Sequence, residues 1–214
     1  MRLWTMAGAV AGMVGCAPIS DERTYAIEGD FDSVRIELSN GDLDVHPVAG
    51  TQVTVEADFG GVGRPNTVSR YVEDGELVID YACGLCGGDL DVGIPGDLPV
   101  RAVLQHGDLE LEGLTGPVSA ELHAGSVVGT DLACDVDVFN HAGSVELEWG
   151  FRPVFVDAEA HLGSVLLEVP AGGYALDLHA NVGVVRLVDV FDDPDSDASI
   201  AAFAHAGEVQ IEGF

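Results

Sequence analysis

From about residue 25 onward, apolar and polar residues alternate along the chain in short runs. In Val34-Arg35-Ile36-Glu37-Leu38-Ser39 the apolar side chains fall on one face and the polar ones on the other, and "TQVTVEA" and "GELVIDY" repeat the pattern. Period-two alternation over such lengths predicts half-buried strands. Asn40-Gly41 and Asp74-Gly75 are turn dipeptides between runs of this kind. No segment after residue 20 sustains a helical period. The chain is expected to be all-β.

The second half repeats itself. Aligned on Gly107, Gly125, Gly143, Gly163, Gly183 and Gly207, successive units are 18, 18, 20, 20 and 24 residues apart. The third, fifth and seventh positions before each glycine are mostly apolar, as in Val118, Ala120 and Leu122 or Leu176, Leu178 and Ala180, with Asn140 the exception. Such short units bury these positions only by stacking on one another. The pattern predicts a single-stack β-solenoid with coils of about 18–24 residues over 96–214, capped by a strand-rich section over 25–95. The six glycines are expected at bends, where a residue without Cβ lets backbones approach closely.

One step out of phase with that core stand His123, His141, His161 and His205, with Gln105 and Asn181 at the equivalent places. Stacked in chain order, the four histidines form an outward row that Asn181 interrupts. Glu121, Glu159 and His179 share their face, and Asp137, Asp157 and Asp177 lie two positions further back. Imidazoles beside carboxylates are a ligand set for zinc or copper, and they titrate near neutral pH. An evenly spaced ladder lacks the convergence a tetrahedral ion needs, so a solvated polar face is the plainer expectation. Asp193, Asp195 and Asp197 in the loop 191–199 resemble part of a calcium loop, but the glycine and closing glutamate of an EF-hand are missing, and an acidic turn is expected. No cofactor is expected.

Charge narrows the partners. The chain has 214 residues, with 37 acidic side chains against 8 basic ones and a formal charge of -29. Such a surface repels nucleic acid and anionic lipid. Residues 1–15 carry one arginine and a short apolar run, the layout of a secretory signal, and Met13-Val14-Gly15-Cys16 resembles the lipobox of bacterial lipoproteins. Cys16 is then the acylated first residue, 16–24 a linker, and the lipid the only contact with the membrane. Ordinary cleavage near Ala17 is the alternative. Ala17 is not the aspartate that favours inner-membrane retention in the lipoproteins this resembles, so the outer membrane is the expected location within the cell envelope. Outside the cytosol, Cys83 and Cys86 are candidates for a disulfide, leaving Cys134 as a free, buried thiol.

The series "NGDLDV", "HGDLEL", "AGSVVG", "AGSVEL", "LGSVLL", "AGEVQI" resembles the repeats of the bacterial "putative adhesin" domain family over about residues 25–214. The resemblance implies a β-solenoid found on envelope proteins, and it carries over no catalytic residues. The sequence contains no Gly-x-Ser-x-Gly elbow, phosphate-binding glycine loop or His-Glu-x-x-His. The expected function is a binding or structural surface module without catalysis, directed at an envelope protein or an extracellular ligand. A cation-binding or pH-responsive protein using the histidine row is the alternative of a different class.

Overall fold

A computed structural model describes residues 19–61, 68–82 and 87–214. Cys16, Cys83 and Cys86 lie outside the described residues. The described elements are all strands, in two ten-stranded mixed sheets. Across the first sheet the order is Ile19–Ile27, Val53–Gly61, Gly87–Pro95, Leu43–Val48, Leu109–Glu112, Val127–Leu132, Val145–Trp149, Val165–Val169, Val209–Gly213 and Val185–Val188. Across the second it is Val190–Asp192, Gly172–Val182, Ser199–Ala206, Phe155–Leu162, Val136–Ala142, Val118–Leu122, Val100–Leu104, Ser33–Leu38, Glu76–Tyr81 and Ser69–Glu73.

The repeat supplies one strand to each sheet. Val118–Leu122 in the second sheet turns at Gly125 into Val127–Leu132 in the first. Both strands run parallel to, and in register with, those of the neighbouring units: Val118 pairs with Val100 and Val136, and Val127 with Leu109 and Val145. Alternation then sends every second side chain between the sheets, where Val118, Ala120, Leu122, Val127, Val145 and Leu147 join one shared core. Each fully buried Val or Leu contributes about 1.5–3 kcal/mol over an exposed one.

The corner glycines form a column. A Cβ on Gly125 would stand 1.8 Å from the carbonyl oxygen of Gly107, and a Cβ on Gly107 equally close to that of Gly41. Gly143, Gly163, Gly207 and Gly183 continue the series. Each corner also donates its N–H along the stack, Gly107 to Ala124 and Gly125 to Ala142, so backbone bonding runs unbroken between the sheets. The residue after the glycine adds a side-chain bond. Asp42 Oδ1 accepts from the Asp108 N–H at 2.9 Å, and Ser164 Oγ from the Glu208 N–H at 3.1 Å. That is why aspartate or serine follows the glycine so often: a short acceptor reaches the neighbouring amide.

Spatial order departs from chain order at both ends. Ser33–Leu38 lies between Val100–Leu104 and Glu76–Tyr81. Near the C-terminus, the unit of Ser199–Ala206 and Val209–Gly213 is inserted between those of Phe155–Val169 and Gly172–Val188. The stack therefore ends on residues 172–188; Val190–Asp192 covers only 172–174, and residues 175–188 have a neighbouring strand on one side only. Leu176 and Leu178, expected deep in the core, are only partly buried for that reason, and Val185, Leu187 and Val188 are exposed. At the opposite end Val53–Gly61 and Ile19–Ile27 add antiparallel strands, and the Asp74-Gly75 turn, with positive φ at both residues, closes the hairpin of Ser69–Glu73 with Glu76–Tyr81.

Asn140, the polar residue at an inward position, is fully buried and satisfied. Its Nδ2 donates to the Gly125 carbonyl at 2.9 Å, and its Oδ1 accepts from the Ala142 N–H at 3.1 Å. A buried amide is tolerated when its bonds are made. Cys134 is free and buried, with Trp149 Nε1 donating to its carbonyl at 2.9 Å. Burial pushes its thiol up to about 11, which leaves it protonated and unreactive at neutral pH.

The glycine column is directly testable. Gly125→Ala forces a Cβ into a backbone oxygen at a residue with φ of +138°, and is expected to cost at least about 3 kcal/mol in a denaturant melt. Gly60→Ala, where nothing lies within 4 Å, should change stability by less than about 1 kcal/mol. Equal effects would remove the column from its role.

Candidate functional site: an imidazole and carboxylate face

The outer surface of the second sheet carries three rows of side chains, each set by strand register. Because Leu122, Asn140, Ala160 and Ala204 point inward and pair across neighbouring strands, the residues that follow them stand outward and side by side. These are His123, His141, His161 and His205. Ring centroids are 4.8 Å apart between His123 and His141, 5.3 Å between His141 and His161, and 4.5 Å between His161 and His205.

Asn181 does not interrupt the row. The unit of residues 199–213 takes the place beside His161, so His205 follows His161 directly and Asn181 ends the series. The amide of Asn181 lies 3.2 Å from His205 Nδ1. Chain order alone could not show an insertion that only strand pairing decides.

Two residues earlier on each strand, glutamate and phenylalanine alternate: Glu121, Phe139, Glu159, Phe203, then His179. Phe139 sits edge-on to His141 and His161 at 4.6 and 4.8 Å, and Phe203 packs on His179 and His205 at 5.0 and 5.3 Å. The two phenylalanines were not among the candidates read from the sequence. The signal was present, since each precedes a histidine by two residues, as Glu121 and Glu159 do.

The alternation groups the ladder in pairs. Glu159 Oε1 lies 3.0 Å from His161 Nε2 and 3.2 Å from His205 Nε2. Glu121, His123 and His141 also bring one ligand atom each within 4.8 Å of the others. The third row holds Asp137, Asp157, Ala201 and Asp177 in spatial order. Partial burial, with Asp137, Glu159 and Asp177 nearby, raises the carboxyl of Asp157 above its ordinary value.

Asp193, Asp195 and Asp197 do not form such a group among the described residues. Asp193 Oδ1 instead accepts from the Asp195 N–H at 3.3 Å, a local acidic turn. The serines after the repeat glycines stand at corners, and Ser164 Oγ is engaged by a backbone amide there.

No family model and no curated protein matches the sequence. Solved structures resemble the chain in fold. A putative cell adhesion protein from Clostridium sporogenes aligns over 92% of this chain and 100% of its own, with 16% identity and a TM-score of 0.52. A putative adhesin from Bacteroides fragilis aligns over 92% and 97%, with 11% identity and a TM-score of 0.45. The chain has the fold of the clostridial protein. At that identity the likeness is one of fold, and it agrees with the resemblance of the glycine motifs to bacterial adhesin-like proteins.

The acidic row predicts how stability depends on pH. Because the Asp157 carboxyl is raised in the folded state, the native protein binds that proton more tightly than the unfolded chain does. The destabilisation by its charge is fully present above the raised value and vanishes as pH falls toward 3.8. Asp157→Asn should therefore raise the melting temperature at pH 7, with the gain shrinking through that window. Thermal melts of both proteins that stay parallel across pH would contradict this.

Proposed function

We propose that this chain is a cell-envelope lipoprotein whose β-solenoid serves as a binding or structural surface module, without catalysis. The parallel, in-register pairing of successive units and the glycine column support the solenoid reading. The observation that carries the binding reading is the face of aligned imidazole, carboxylate and phenyl rows on the second sheet. Such rows sit on a continuous backbone ladder, so their spacing is fixed before any ligand arrives. Preorganised polar groups beside half-buried rings are what a recognition surface needs. The engagement of Ser164 at its corner speaks for a structural rather than a nucleophilic serine.

The lipobox resemblance at Cys16 supplies the anchor. Several acyl chains, each buried methylene contributing about 0.8 kcal/mol, hold a protein firmly at a membrane that its charge of -29 otherwise repels. The outer membrane is the proposed location, with an envelope protein or an extracellular ligand as partner.

Two measurements test this reading. Cys16→Ser should lose metabolic lipid label and leave the membrane fraction; equal labelling of both proteins would remove the anchor. Binding of the purified full chain to cell-envelope material should fall at least about ten-fold when His123, His141, His161 and His205 are replaced by Asn, a loss of about 1.4 kcal/mol. Glu110→Gln with Glu146→Gln on the other sheet should leave it unchanged. If the second variant weakens binding as much as the first, this face is not the recognition surface.

A further inference from the structure

We propose that the face holds two zinc-class divalent ions, each bound by one glutamate and two histidines. Glu159, His161 and His205 form one site, and Glu121, His123 and His141 the other. This deepens the reading of the imidazole face as the binding surface and stands without the lipid anchor.

An even ladder of ligands spaced at the strand distance does not converge on an ion. Here it does not stay even. Glu159 reaches between two strands and places one carboxylate oxygen at 3.0 and 3.2 Å from the Nε2 atoms of His161 and His205. In a tetrahedral zinc site with bonds of about 2.0–2.1 Å, ligand atoms stand about 3.3 Å from one another. Two edges of that tetrahedron are thus already near length. Glutamate with two histidines is a ligand set zinc takes, with the fourth position left to water or to a ligand atom from a partner.

The phenylalanines decide why there are two sites rather than one blurred row. Phe139 occupies the place of a carboxylate between Glu121 and Glu159, and its ring lies edge-on to His141 and His161. His141 and His161 are themselves turned at 87° to each other, whereas His123 and His141 are stacked at 27°. The boundary between the sites falls between His141 and His161. Outer partners complete the first site: by turning over, the Asn181 amide accepts the Nδ1–H of His205 when Nε2 is metal-bound. Asp157, beside Glu159, adds negative field that favours a cation. The second site, whose ligand atoms are less converged, is the weaker of the two.

Zinc itself is the probe. The purified full chain, dialysed against zinc with excess magnesium to occupy carboxylate-only sites, should retain two ions per chain near neutral pH by elemental analysis. His161→Asn should retain one, and the four-histidine Asn variant none above background. Cobalt in place of zinc should give the intense visible bands of tetrahedral coordination. Retention should fall at least about ten-fold in mild acid, because protons compete with the metal for the imidazole nitrogens. Displacement of all zinc by magnesium, or equal retention by wild type and His161→Asn, would overturn the proposal. If the four-histidine variant fails to fold, Glu159→Gln alone carries the test, since it should halve the stoichiometry. The envelope-binding assay separates the two readings: a variant that loses zinc yet keeps its envelope binding leaves the ion sites standing and removes this face as the partner surface.

Discussion

The structure depends on the close passage of backbone over backbone at the corner glycines. With a carbonyl oxygen less than 2 Å from where a side chain would begin, the corner has room for one residue type only. That crowding lets the amide of each corner bond to the next unit, and so lets both sheets advance by one strand spacing together. Register follows from it. Once the corners align, every apolar residue at the third, fifth and seventh place before the glycine is carried inward. Every residue between them is carried outward into a row.

Legibility from sequence followed the same division. The corners and the alternation were plain, because both are imposed locally: a glycine by contact, an apolar residue by burial. Asn140 broke the pattern, since only its bond from the Ala142 N–H is local, and its acceptor, the Gly125 carbonyl, lies beside it only once the adjacent unit is in place. Leu178 looked no different from Leu122, yet one sits under a neighbour on both sides and the other at the end of the stack. The order of the histidines was hidden for a related reason. Which strand lies beside His161 is a matter of pairing free energy among similar edges, and nothing local to residues 155–162 records that the winner is residues 199–206.

The rows have a physical property that isolated side chains lack. A loop that presents two histidines and a glutamate must order itself to do so, at an entropic cost on the order of 1–2 kcal/mol for each residue fixed. On this sheet the ordering is complete before binding, because strands on either side hold each backbone segment. Small choices at outward positions, phenyl for carboxylate at 139 and 203, then change the chemistry of the surface without disturbing the layers beneath.

The insertion of the last unit also bears on how the chain comes to be folded. Residues 199–213 occupy an internal layer, flanked on both sides by strands that precede them in the sequence. Removing that stretch would not shorten the stack from its end; it would take out a floor and leave two non-adjacent storeys facing each other. A nascent chain that had already paired residues 155–169 with 172–188 would have to reopen them to admit residues 199–213. Completion of the stack therefore waits for residues 199–213, and the strands on either side cannot close into their final arrangement before those residues are available.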